Sequence, residues 1–482
     1  MPRARLILGS SLLVAVTAVG AAAAWSHDAA QVATGFVADI LCSQTFVSGL
    51  DPDRVLAETT EAMPGVGLIG WAIGVDVDRG RREVTTTLLG TSRSRAVYRD
   101  GLGCTLAHDD EPVDEALPPA RPLPPPALPE IAGPEPVGAA DPVIARAIEH
   151  VFAEPDQPPL RHTRAVVIVK DGRIIAERYA DGVTMDTPLL GYSATKSVLS
   201  ALIGILVRKG RLAVDQPAPV APWRNPDDPR RAITVDHLLR HTAGLDVGSS
   251  LMATLGSAFD KVNRMKFVVR DQAGFAEEAP LATAPGSAWN YNDANYLVLS
   301  RLIRDLAGGH AADVLQFARR DLFAPLGMRN VTLQFDATGT PEGASEMLAT
   351  ARDWARFGML YLDDGVVGGT RILPAGWVRY CATATPDAWV GYGAGWWTNF
   401  GDSMGARKRI GLGMPRDAIH ARGQFGQYVV VVPSERLVIV RFGTTGGDND
   451  IAGVSRLVAD VIAATRARDA GGGSTTSFAR QN

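Results

Sequence analysis

Two apolar rhythms divide this chain. Ala165 to Lys170 and Arg173 to Tyr179 are rich in β-branched residues and flank Asp171-Gly172, a dipeptide suited to a tight hairpin turn. Gln427 to Val432 and Leu437 to Phe442 repeat that pattern around the turn Pro433-Ser434-Glu435-Arg436. Between these ends, from Ser193 to about Leu362, helical spacing prevails, and Val143 to Phe152 and Ile451 to Arg466 share it. Strands from both ends with helices between predict an α/β chain of the α+β type. One antiparallel sheet is drawn from distant sequence, helices cover it, and a helical subdomain is inserted. This large domain is assigned to residues 142–467, followed by a disordered tail from 468 that includes Gly471-Gly472-Gly473-Ser474.

Upstream, residues 28–107 read as a small α+β module. Ala29 to Ser48 and Pro52 to Glu61 suit helices, Trp71 to Val77 and Glu83 to Leu89 suit strands, and Arg95 to Tyr98 suits a third strand. Residues 108–141 contrast sharply. Eleven of the 31 prolines lie between Glu111 and Pro142, a composition that predicts an extended, semi-stiff linker. At the very start, Arg3 and Arg5 precede the uncharged stretch Leu6 to Trp25, with small residues at Ala21 to Ala24. Residues 1–27 therefore read as an export signal or a membrane anchor. Twenty residues at about 1.5 Å each just span a bilayer of about 30 Å, although many alanines make the span weak and favour cleavage. The expected location is periplasmic, either free or tethered to the inner membrane.

Composition narrows the function classes. Apolar residues are 46% and charged residues 21%, enough for a large core and incompatible with disorder as the main state. A net charge of −4 without a basic block argues against nucleic acid as a partner. Lysines number six among 48 basic residues, so each is worth placing. In an oxidising compartment Cys42 and Cys104 can close a disulfide, leaving Cys381 single and without spacing that suggests a metal site.

Ser193-Ala194-Thr195-Lys196 opens the apolar run Val198 to Val207. Serine at a helix start with lysine three positions on puts both side chains on one face. The helix N-terminus disfavours the ammonium and favours a developing oxyanion, so the lysine can take the serine's proton. Tyr291, in Pro285-Gly286-Ser287-Ala288-Trp289-Asn290-Tyr291-Asn292-Asp293, sits at a loop-to-helix junction where a phenol can relay a proton. His420-Ala421-Arg422-Gly423-Gln424 leads into a strand, and its glycine permits close backbone approach.

Three other motifs carry bland readings. His237 and His241, four apart, lack the His-Glu start of a zinc-binding helix and a third zinc ligand. Gly65-Val66-Gly67-Leu68-Ile69-Gly70 precedes a strand, where a dinucleotide site needs the glycines to follow one. Gly401-Asp402-Ser403-Met404-Gly405 matches a nucleophile elbow, but the residues after it read as loop. Trp389, Trp396 and Trp397 suit an apolar acyl pocket or the core equally well.

Taken together in this order, the Ser-x-x-Lys, Tyr and Arg-Gly segments resemble the serine β-lactamase and penicillin-binding-protein superfamily. Within it, the chain looks most like the class C-like branch of 6-aminohexanoate-dimer hydrolases, carboxylesterases and D-amino-acid peptidases. The resemblance runs from about Val143 to Ala464 and takes in Ile233 to Leu245, which it places in a helix ending at Gly244, together with Phe323 to Met328 and Ala351 to Gly358. It implies that Ser193 is acylated, that Lys196 accepts its proton, and that Tyr291 assists the leaving group. It also implies an oxyanion hole from the backbone N–H groups of Ser193 and Gln424, substrate contacts from Asp293, Arg422 and Gly423, and no cofactor or metal. Two departures stand out. Asp293 occupies a position where the family usually has Asn, and Ala421-Arg422-Gly423 replaces Lys-Thr-Gly. Loss of that lysine points away from a true β-lactamase and towards an ester or small amide. The other readings are a non-catalytic binder of cell-wall peptide and a D,D-peptidase of the same fold.

Overall fold

Alternation along a single strand sets two layers of core. The computed structural model describes residues 27–108, 117, 122–251 and 256–472. In the strand Thr163–Lys170, Val166 and Ile168 face a cluster formed with the helices Pro142–Phe152 and Ile451–Gly472. Ala165, Val167 and Val169 face the larger cluster on the opposite side of the sheet. Asp171 and Gly172 turn the hairpin with φ of 51° and 84°, the left-handed geometry such a turn needs. The first covering helix starts where Asp141 accepts a 2.7 Å hydrogen bond from the Val143 N–H, and it buries Ile144, Ala147, Ile148 and Val151.

Six strands lie side by side in the order Trp397–Thr398, Ile419–Gly423, Gln427–Val432, Leu437–Gly443, Thr163–Lys170 and Arg173–Tyr179. All neighbours are antiparallel. Val440 pairs with Val167, joining the two ends of the domain as the strand pattern predicts. The helical region between Tyr179 and Trp397 packs on the inner face and carries the site.

Three boundaries differ from the sequence reading. The N-terminal module has the expected helix, residues 27–42, and a four-stranded antiparallel meander, but it is no separate body. Val37, Leu41 and Cys104 share one apolar cluster with Leu189 and Tyr192 of the large domain. Such continuity follows from the helix being apolar on most of its surface. The Pro-rich segment, described from 122 onwards apart from 117, is extended but is a strap and not a spacer. Leu128 and Ile131 are buried, the Ile174 and Glu177 N–H groups donate to the carbonyls of Ile131 and Val137, and Arg352 donates to Gly133 and Glu135 carbonyls. The strap thereby covers the exposed edge of the Arg173–Tyr179 strand. Finally, the last helix continues to Gly472, five residues into the segment read as disordered; residues 473–482 lie outside the described residues, as do 1–26 with the signal or anchor. No described helix is long and apolar enough to cross a membrane.

Cys42 and Cys104 form a disulfide with Cα atoms 6.1 Å apart, tying the helix 27–42 to the last strand of the meander. Closing a loop with a sequence separation of 62 contributes about 4 kcal/mol in the chain-entropy model. The double variant Cys42→Ser, Cys104→Ser is expected to lose a stability of about that size in denaturant titration, and to become insensitive to reductant. An unchanged unfolding midpoint would mean that packing alone holds the module.

Candidate active site

Gly191 and Tyr192 make the bend that presents Ser193. Tyr192 has a φ of 45°, and a single 3-10 turn over Tyr192–Ala194 runs into the helix Thr195–Arg208. That helix is buried along almost its whole length, from Thr195 to Leu206, so its start is fixed by packing on all sides. Ser193 is not a helix cap: the helix has no side-chain cap bond. Instead Lys196 Nζ donates to Ser193 Oγ at 3.0 Å, to Asp293 Oδ1 at 2.7 Å and to the Ala344 carbonyl at 2.7 Å. Lys196 is only 1% exposed, so these partners and not water satisfy its Nζ.

Tyr291 and Asp293 arrive on the next segment. Asn292 caps the helix Asp293–Ala307 by accepting from the Asn295 N–H, placing Asp293 in the first turn, where a negative charge is favoured. The Tyr291 ring centre lies 5.0 Å from Lys196 Nζ. The ring packs in an aromatic cluster with Trp289, Tyr392 and Trp397, and over the buried His241 at 4.3 Å. Burial foremost, and then the Lys196 charge, hold the His241 imidazole neutral, well below its ordinary range.

Asp293, expected to contact substrate, has two lysine partners within the protein. Both carboxylate oxygens face lysines: Oδ1 takes Lys196, and Oδ2 lies 3.4 Å from Lys266 Nζ. Burial would raise its carboxyl, but Lys196 and Lys266 outweigh that and bring it down to about 2. Asp293 is therefore an ionised brace for both lysines. The reason is spatial: the first turn of its helix points into the same pocket as Lys196.

The strand Ile419–Gly423 closes the other side. A Cβ built at Gly423 would fall 2.1 Å from the Gly191 carbonyl oxygen, so only glycine lets this strand run against the bend at Ser193. Gln424 follows at the strand end, its side-chain amide 3.9 Å from Met63 Sδ of the N-terminal module. Arg422 stacks its guanidinium 5.0 Å over Trp397 and donates to the Asp448 carbonyl. Ser193, Lys196, Tyr291, Asp293, Gly423 and Gln424 are thus brought together, with Arg422 beside the aromatic wall.

The remaining sequence motifs resolve otherwise. His237 forms a capping box with Thr234, and its helix stops at Leu239 instead of reaching Gly244, since His241 has a left-handed φ of 60°. Gly65–Gly70 lies on a short helix and 3-10 turn before a strand. Ser403 caps a helix, Met404–Gly411, where a loop was expected; its Oγ accepts from the Ala406 N–H. Trp389 is exposed and Trp396 is core, so only Trp397 joins the site wall. Cys381 is a buried free thiol. The described residues hold no group of three or more His, Cys, Asp or Glu arranged to bind a metal ion. Sequence reasoning missed Lys266 and the Ala344 carbonyl. The scarcity of lysine was the one signal pointing to Lys266; nothing local marks a backbone carbonyl.

A fold of this kind with serine, lysine and tyrosine in one pocket is that of the penicillin-recognising serine enzymes. The beta-lactamase family model matches residues 156–463, well over half of the chain, and the protein belongs to that family. It is 33% identical to esterase EstB of Burkholderia gladioli over 39% of this chain, a match spanning 51% of the esterase. Against 6-aminohexanoate-dimer hydrolase of Paenarthrobacter ureafaciens it is 26% identical, over 58% of this chain and 72% of the relative. A solved Bacillus anthracis structure, provisionally named as a 6-aminohexanoate-dimer hydrolase, superposes with a TM-score of 0.53 over 64% of this chain and 80% of that one, at 22% identity, which speaks for the fold.

Proposed function

We propose that this protein is an exported serine hydrolase that cleaves an ester or small amide through an acyl-enzyme on Ser193. The observation that carries the reading is Lys196 Nζ at 3.0 Å from Ser193 Oγ, buried and braced, with the Tyr291 ring over it. Ser193 Oγ attacks the carbonyl carbon while its proton passes to Lys196. The tetrahedral oxyanion is met by the backbone N–H groups of Ser193 and Gln424. As the C–O or C–N bond breaks, the Tyr291 hydroxyl protonates the leaving group and is resupplied from Lys196. Water then attacks the acyl carbon by the same route in reverse. The names of its relatives, esterase and 6-aminohexanoate-dimer hydrolase, support this substrate class. Ala421-Arg422-Gly423 in place of Lys-Thr-Gly counts against a true β-lactamase.

Export rests on the basic, then apolar, start of the chain and is supported by the Cys42–Cys104 disulfide. Residues 1–27 serve as a cleaved signal or as a tether that leaves the enzyme facing the periplasm. The test is intact-mass spectrometry during hydrolysis of a short-chain p-nitrophenyl ester. A transient acyl adduct that maps to Ser193, with steady release of product, is expected. An adduct that persists without turnover would instead favour a binding protein, and faster cleavage of nitrocefin than of esters would restore the β-lactamase reading.

A further inference from the structure

Asp293 stands between two lysines, and the second has no part in the steps above. Lys266 lies on the short helix Lys261–Phe267, its Nζ 3.4 Å from Asp293 Oδ2, while Lys196 takes Oδ1 at 2.7 Å. A carboxylate facing one lysine alone stabilises the ammonium form. The three acceptors around Lys196 Nζ are Ser193 Oγ, Asp293 Oδ1 and the Ala344 carbonyl, and an ammonium can fill all three. An amine fills only two and turns its lone pair to the Ser193 hydroxyl, which is the form that acylation requires. An uncharged Asn at 293 would leave the lysine free to take that form; Asp293 opposes it.

We propose that Lys266 is a positioning residue for acylation: by sharing the Asp293 carboxylate it weakens that group's hold on the Lys196 proton, so that Lys196 can receive the proton of Ser193. The inference rests on the Ser193 acyl-enzyme reading. Lys266 also faces Glu346, Glu342 and Asp39; burial works against its charge, but Asp293 first and then these three outweigh it. Glu342 is itself pushed up to about 8 by burial and by Glu346 and Asp336, so this acidic group holds less than its full formal charge near neutral pH. Around Lys196 the remaining groups are the Tyr291 and Tyr296 rings, His241 and Glu346.

The N-terminal helix sets the position of Lys266. A Cβ at Gly35 would fall 2.7 Å from the Phe267 carbonyl oxygen, Phe36 meets Phe267 edge-on at 5.5 Å, and Arg264 pairs with Asp28 at 2.6 Å. Asp39, one turn further along the same helix, reaches the lysine electrostatically. The module read from sequence as a small unit of its own is in this way part of the support of the site.

The pH dependence of kcat/KM for a short-chain p-nitrophenyl ester tests the assignment in wild type, Lys266→Met, Lys266→Arg and the double variant Lys266→Met, Asp293→Asn. Lys266→Met is expected to move the acid limb upward by about one to two pH units, since the Asp293 charge then falls on Lys196 alone. Lys266→Arg keeps the limb near its wild-type position, and the double variant restores it by removing the carboxylate as well. A structural role alone would lower activity without moving the limb. An unmoved limb in Lys266→Met, or a double variant whose limb stays high while Ser193 is still acylated, would overturn the proposal and leave the acyl-enzyme reading standing. Absence of a Ser193 adduct in wild type would overturn both. Should Lys266→Met not fold, Lys266→Gln, which loses the charge but keeps a polar side chain beside Asp293, decides: a raised limb supports the proposal and an unmoved limb defeats it.

Discussion

Ser193→Ala is expected to lower kcat on a p-nitrophenyl ester by about a million-fold, the scale seen when a serine hydrolase loses its nucleophile. The nearby Thr195 hydroxyl is engaged elsewhere, its Oγ accepting from the Met347 N–H. The fold should be untouched. Ser193 Oγ caps no helix, and the bend that presents it is held by the Gly191 N–H on the Met347 carbonyl and by the close approach of Gly423. The measurement is paired: turnover and adduct mass on one side, thermal unfolding on the other. Lost turnover with an unchanged unfolding temperature is the expected result. Retained activity would move the nucleophile elsewhere, and a parallel loss of stability would make the effect structural.

Lys196→Met should lower acylation by about a thousand- to ten-thousand-fold, the upper range of general-base removal. It leaves a contrast with the first variant. Ser193 is still present, so an acyl adduct forms slowly and then accumulates because deacylation needs the same base. Its effect on folding is bounded by geometry. Lys196 is buried, and removing its charge leaves Asp293 facing Lys266 at 3.4 Å, so the carboxylate keeps one cationic partner. Slow, persistent acylation seen by intact mass checks the prediction; a fast adduct would remove Lys196 from the first step.

How much of this was legible beforehand depends on the range of the interaction involved. The hairpin at Asp171-Gly172, the terminal strand pair and the covering helices follow from alternation, helical period and turn chemistry within a dozen residues. The Ser-x-x-Lys pair was equally local, since Ser193 and Lys196 lie three residues apart across a 3-10 turn and the helix it runs into. The strap over residues 122–141 was misread because proline content reports the absence of a regular ladder and says nothing about what a segment lies against. Its Leu128 and Ile131 are buried in the core, and those two apolar residues among prolines were the overlooked signal.

From the order of residues alone came the fold class, the sheet drawn from both ends, the covering helices and the pairing of Ser193 with Lys196. These depend on local pattern, and local pattern survives in one dimension. Folding in three dimensions decided what surrounds that pair. Asp293, 97 positions from Lys196, turned out to hold two lysines, the Ala344 carbonyl came from 148 positions away, and the N-terminal helix became the seat of Lys266. Such contacts arise from packing between distant segments, and a buried charge takes its properties from every group packed against it.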